Sequence, residues 1–187
     1  EPHRFDPRAW GPVEQSAHLV MDSFGALAAI ATVGDIVPLT GENRFLAEQG
    51  LKLAEYSDLP GLQALMEVAG LKGKPLTSQK AAFGLVPRIN AAGRMGSARL
   101  AMQLLLSETP EEAEALAQEL NQHNLDRQQE ELEILNRVEQ TLEEHPEILL
   151  DRVMVVPAEG LNHGVVGIVS AKLVSLYCFC ILYSVGG

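Results

Sequence analysis

Three observations predict an α/β chain that is mostly helical. From Asn43 to Glu144 apolar residues recur at helical spacing, broken only by Gly and Pro, and the stretch is nearly free of strand-like alternation. After Pro146 the pattern changes: Arg152 to Val156 reads as a buried, Val-rich strand closed by Pro157, followed by a turn, an apolar helix from Val165 to Tyr177 buried on most sides and a strand from Cys178 to Tyr183. Strand, helix, strand implies a parallel pair. Ahead of both lies a run of small apolar residues, Phe24 to Val33, with Ala and Leu at helical spacing.

Residues Glu1 to Val20 hold Pro2, Pro7, Pro12 and Trp10 among mixed polar residues, which predicts an extended lead-in. His3 and His18 are isolated there and read as surface residues. The Phe24 to Val33 run predicts a buried helix ending near Gly34, with Asp35 at its exit and Pro38 closing the turn. Asp35 carries the only charge between Ser23 and Gly41. An acid beside a buried run is costly unless partnered, and from the residues alone it reads as a turn cap.

Phe45 to Tyr56 and Leu62 to Val68 predict short amphipathic helices, the second closed by Gly70. Thr77 or Ser78 caps a third, which Pro87 stops, and Ser97 caps a fourth that runs through Leu106. Arg88 to Arg94 is then a loop joining two helices. Thr109-Pro110-Glu111-Glu112 is a good helix start, with Thr109 as cap, Pro110 in the first turn and Glu112 placed to close a capping box. The helix runs to about Glu144, and Pro146 ends it. Its apolar seam is interrupted by Asn124, Arg127 and Glu131 at spacings of three and four. A solvated break between two packed ends explains this gap as readily as a polar site does, and Arg127 can simply pair with Glu131. Asn162 and His163 fall in the Gly160 to Gly164 turn at a helix N-terminus, where free backbone amides favour an anion; a turn that merely caps its helix is the equal alternative. Cys178 and Cys180, one residue apart, suit neither a comfortable disulfide nor a zinc pair and read as core thiols.

Charge is segregated. Between Leu71 and Arg99 there are six cations and no Asp or Glu, while the remainder of the chain holds eight cations and twenty-five acids. A local balance of +6 against −17 elsewhere focuses potential that attracts a polyanion. Within that stretch, Arg offers a planar fork that fits phosphate oxygens, Asn adds a donor and an acceptor, and Gly93 and Gly96 allow close backbone approach. Arginines that only cap carbonyls or pair with acids are the competing explanation. The longest apolar run, about Leu173 to Val185, is shorter than the roughly 20 residues of a membrane span, and no leader is evident, so a soluble, cytoplasmic protein without a membrane partner is expected. A chain that opens on Glu1 and closes on an apolar run and Gly-Gly reads as a piece of a longer one.

Pro87-Arg-Ile-Asn-Ala-Ala-Gly-Arg-Met95 resembles the connector motif of the RecJ single-strand-specific exonucleases, a family of the DHH phosphoesterase superfamily. Ala31 to Leu39 and Asn162 to Leu173 resemble the same family, in the same order. The resemblance implies three parts: residues 1–42 as the C-terminal part of a DHH catalytic domain, 43–146 as a helical connector, and 147–187 as the beginning of a DHH-associated domain. It implies a 5′→3′ exonuclease on single-stranded DNA, in repair and recombination, with helicase or single-strand-binding protein as possible partners of the parent. Asp35 matches a catalytic metal ligand for Mn2+ or Mg2+ in a two-metal site, whose Asp-His-His and Asp-x-Asp partners are absent from the sequence, so the piece alone is expected to be inactive. Arg88, Asn90, Arg94, Asn124, Arg127, Asn162 and His163 match nucleic-acid-binding positions. Gly34 stands where the family commonly has Ala, and Leu161 where it often has Trp. Two rivals are a non-catalytic DHH-family module that grips nucleic acid or a replication partner, and a DHH phosphoesterase for short oligonucleotides; the long connector argues against the second.

Overall fold

A computed structural model describes residues 13–95, 97–157, 162–177 and 179–183, with the backbone alone for 13–19. The expectations for His3, Trp10, Gly96, Leu161 and Cys178, and for the side chain of His18, lie outside the described residues. The chain is mostly helical with one small parallel sheet. Described residues within Glu1–Pro87 and Met102–Gln118 form one compact unit, and those within Arg88–Ala101 and Glu119–Gly187 form another.

The first unit begins with helix α1 (Val13–Gly34), so the expected extended lead-in is helical from Val13 onward. Proline punctuation stops at Pro12, and nothing after it opposes the helix. Helix α2 (Gly41–Glu55) packs closely on α1 through small residues. A Cβ at Gly50 would stand 2.1 Å from the carbonyl oxygen of Gly25, so the two backbones touch, and Ala26, Ala29, Ala47 and Ala54 fill the space beside that crossing. Helix α3 (Pro60–Val68) buries Leu62, Leu65 and Met66 and is followed by Gly70 in the left-handed region.

Next comes a continuous helical stretch: α4 (Ser78–Lys80), a π-helical turn (Ala81–Leu85) and α5 (Val86–Met95). Thr77 caps it as expected, accepting from the Lys80 amide at 3.2 Å. Pro87 does not stop it, and Arg88 to Arg94 is helix, not loop. In α register the proline ring would meet the carbonyl of residue 83, and the helix avoids this by widening. The Val86 amide reaches back five residues to the Ala81 carbonyl. Helix α6 (Arg99–Leu105) starts after Ser97, whose hydroxyl accepts from the Arg99 amide at 3.2 Å.

Helix α7 (Pro110–Glu144) is 35 residues long and starts where Thr109 accepts from the Glu112 amide at 3.3 Å. A 3-10 turn (Pro146–Leu150) follows it. In the second unit, strand β1 (Met154–Pro157), helix α8 (His163–Leu176) and strand β2 (Cys180–Tyr183) make the expected unit, and the strands pair in parallel with Met154 opposite Cys180 and Val156 opposite Leu182. The core gathers Ile134, Leu135, Val138 and Leu142 of α7 with Met154 and Val156 of β1 and a stripe on α8. Two expectations of burial are corrected. Strand β1 buries only alternate residues, and α8 buries Val165, Val169 and Leu173 while Val174, Leu176 and Tyr177 are exposed. Residues four apart lie on one helix face, and only that face meets the core. Cys180 is partly buried against this core.

Candidate nucleic-acid interface

Two sequence motifs seventy residues apart meet in the second unit. The C-terminal end of α5 lies against the first turn of α8 so closely that a Cβ on Gly164 would stand 2.6 Å from the Arg94 carbonyl oxygen and 3.0 Å from its Cα. Arg94 adds a side-chain bond, one terminal guanidinium nitrogen donating to the Gly164 carbonyl at 2.6 Å. Arg94 is nonetheless exposed, and its guanidinium carries further donors beyond this bond. His163 and Asn90 are exposed as well.

Asn162 caps α8: its Oδ1 accepts from the Gly164 amide at 2.9 Å, and its own carbonyl accepts from the Val165 and Val166 amides. It is held in turn by Glu130 of α7, which accepts from the Asn162 backbone amide at 3.3 Å and from its Nδ2 at 3.4 Å. The same Nδ2 lies 3.6 Å from the sulfur of Met95.

The polar gap in α7 is internal, not a solvated break. Asn124 is 2% exposed, and the side chains of Arg127 and Glu131 are 11% and 16% exposed. Arg127 donates to Glu131 at 2.9 Å and to Asn124 at 3.3 Å, and Lys172 of α8 reaches Glu131 at 3.3 Å. The Arg127 Nε is buried without an acceptor among the described residues. One turn earlier, Asn121 accepts from Arg88 Nε at 2.9 Å. Burial holds the Arg88 pKa below the usual guanidinium value, and the group is still charged because guanidinium does not titrate in proteins. Asn121, Glu130 and Lys172 were not singled out in the sequence. Asn121 and Glu130 each stand three residues from Asn124 or Arg127 on α7, a spacing that makes helical neighbours and could have pointed to them, whereas Lys172 lies on α8 and carried no such signal.

The structure divides the basic stretch between the two units. Lys72, Lys74 and Lys80 belong to the first and are engaged locally, with Glu67, the Gly70 carbonyl and the Pro75 carbonyl. Arg88, Arg94 and Arg99 belong to the second.

Asp35 lies in the first unit, one residue beyond α1, and is exposed, so it bears none of the burial cost its sequence setting implied. Its amide closes the helix on the Ala31 carbonyl at 2.9 Å. Ile36 beside it has φ 56 and is 90% exposed. A β-branched residue in the left-handed region is strained by about 1–3 kcal/mol, a condition concentrated at functional positions. Nothing in the sequence marked it, because the glycine expected to supply this conformation, Gly34, serves packing instead: a Cβ there would come within 3.1 Å of Val86. As a hard oxygen donor Asp35 suits Mn2+ or Mg2+. Among the described residues, however, no three His, Cys, Asp or Glu side chains gather, so these residues do not by themselves compose a metal centre. A cleft of about 450 Å³ in the same unit, floored by Leu39, Leu51 and Leu76 and edged by Arg44 and Thr77, does not include Asp35. Among the described residues no helix is long and apolar enough to cross a membrane.

No family model matches the chain. It is 39% identical over 152 residues to the single-stranded-DNA-specific exonuclease RecJ of Bacillus subtilis (strain 168), a match that covers 81% of this chain and 19% of the relative. It is 37% identical over 150 residues to RecJ of Thermus thermophilus, covering 80% and 21%, and 36% identical over 152 residues to RecJ of Escherichia coli (strain K12), covering 79% and 26%. Among solved structures, RecJ of Thermus thermophilus in complex with Mn2+ matches with a TM-score of 0.77 at 31% identity, over 91% of this chain and 26% of that one. A second, exonuclease RecJ bound to manganese, gives 0.77 at 32% identity over 91% and 43%. The chain spans between a fifth and about a quarter of the length of these curated relatives.

Proposed function

Because this chain is similar, over about four-fifths of its length, to one segment of the RecJ single-stranded-DNA-specific exonucleases, we propose that it is an internal part of such an enzyme and forms part of its path for single-stranded DNA. In this proposal residues 1–42 end a metal-bearing DHH domain, 43–146 form the connector and 147–187 begin the DHH-associated domain. The parent hydrolyses phosphodiester bonds in repair and recombination, in the cytoplasm, alongside helicase or single-strand-binding protein.

The observation that carries the proposal is the meeting of α5 and α8, which brings Arg94 and His163 onto the same small region of the second unit. Exposed Asn90, Arg94 and His163 are the groups that would touch the strand, with Arg94 using the donors left over from its bond to Gly164. Arg88 adds charge beside them, while Asn124, Arg127 and Asn162 hold the frame through their hydrogen bonds and contribute through it. Backbone phosphates are the common feature of any sequence, so such a set binds without sequence preference.

Asp35 would contribute one carboxylate oxygen to the metal site of the parent, where the ions activate water and stabilise the leaving oxygen. The test is Asp35→Ala in the full-length protein. The expected outcome is a folded protein that binds single-stranded DNA and has lost manganese-dependent digestion; normal digestion with Ala at position 35 would refute the assignment. The alternative reading is a non-catalytic relative that grips single-stranded DNA without cutting it. Manganese-dependent digestion by the unmodified full-length protein removes that alternative.

A further inference from the structure

A helix N-terminus ordinarily attracts a phosphate through its dipole, and beside the first turn of α8 a carboxylate already stands in place. Glu130 projects from α7 to that turn with both carboxylate oxygens directed at Asn162, one toward its backbone amide and one toward its Nδ2. Among the described residues it pairs with no cation, although its neighbour Glu131 takes both Arg127 and Lys172. Two adjacent carboxylates therefore have different partners: Glu131 neutralises charge, and Glu130 accepts only from uncharged N–H groups.

We infer that Glu130 is a positioning residue for the DNA strand: it fixes Asn162 as the cap of α8 and so sets the place of His163 and of the Gly164 carbonyl that Arg94 holds. The inference rests on the proposed strand-binding function, and it adds a residue that the sequence motifs do not contain. The chain of contacts is short. Glu130 holds Asn162, Asn162 Oδ1 holds the Gly164 amide, and the Gly164 carbonyl holds the Arg94 guanidinium. A carboxylate that anchors the turn also occupies the place a phosphate would otherwise take, which directs phosphate contact outward to the exposed Arg94 and His163.

The test uses the full-length protein with Glu130→Ala and Glu130→Gln, read by hydrogen exchange of the segment 162–166 and by KM and kcat on single-stranded DNA. Gln keeps an acceptor for the Asn162 amide but loses the second acceptor and the charge. For Glu130→Ala we expect faster exchange of 162–166 and a KM raised about three- to tenfold with kcat within about twofold, as for lost uniform binding of the strand. Glu130→Gln should recover most of the exchange protection and most of KM. Unchanged exchange in Glu130→Ala would overturn the inference, since the turn would then not depend on the carboxylate. Faster exchange with unchanged KM would also overturn it, by removing the turn from the strand path. A lower KM in Glu130→Ala would overturn it too, because the carboxylate would then act only as a repelling charge. Failure of the proposed function itself is separately visible: the unmodified protein would not bind or digest single-stranded DNA.

Discussion

Gly164 has no room for a side chain. Its neighbour across the contact is backbone, the carbonyl and Cα of Arg94, so nothing flexible can give way to a methyl group. We expect Gly164→Ala to destabilise the protein by about 1–3 kcal/mol through overpacking and backbone shift, measured by denaturant unfolding; an unchanged midpoint would show that α5 and α8 can separate at no cost. Arg127 is also constrained by its surroundings, largely buried and bonded to Glu131 and Asn124, with its Nε unpaired among the described residues. Residue roles of this kind were half legible. The sequence marked Asn124, Arg127 and Glu131 because polar residues stood in an apolar seam, and it marked Asn162 and Arg94 through motif resemblance. It held no sign of Glu130 as distinct from Glu131, since consecutive acids on a helix look alike until the partner across the contact is known. Nor could it show the left-handed backbone of Ile36, because a glycine two residues earlier was the natural residue to supply it.

Among the elements, the α1–α2 crossing brings backbone against backbone in the first unit, with Gly50 against the carbonyl of Gly25 and the Cβ of Ala29. Gly50→Ala should push the helices apart and cost about 1–3 kcal/mol or more, with the thermal midpoint as the measure; wild-type stability would mean that the crossing relaxes freely. The helices themselves were readable because their ends carry local chemistry: Thr77, Ser97 and Thr109 each cap the helix that the sequence assigns to them. Pro87 misled for a physical reason. A proline costs a helix its α register at that point, and the usual result is a stop, but a π-helical turn absorbs the conflict and carries the helix on to Met95. The same correction moves Arg88, Asn90 and Arg94 from a loop onto a rigid helix, which fixes the spacing between them. The burial of α8 was overestimated because an apolar helix shows no polar face to count, and only the stripe Val165, Val169, Leu173 meets the core.

Across the whole molecule, charge segregation and chain partition do not coincide. The sequence places six cations in one stretch, and the structure assigns three to each unit, those of the first engaged by Glu67 and by carbonyls, those of the second on α5 and at the start of α6. Phosphate contact is therefore expected from the arginines of the second unit. Salt-titrated binding of single-stranded DNA to the full-length protein and to its Arg88→Ala/Arg94→Ala variant decides whether they provide it. If both contact phosphates, the slope of log affinity against log salt should become shallower by about 1.4, about 0.7 for each lost contact, with weaker binding at every salt concentration. Because both arginines also make hydrogen bonds inside the unit, some loss of stability is expected in either case, and the titration is made on protein shown to be folded. A folded variant with the unmodified slope would contradict the assignment, and Arg88 and Arg94 would then be braces for α5, α7 and α8 that never touch the strand.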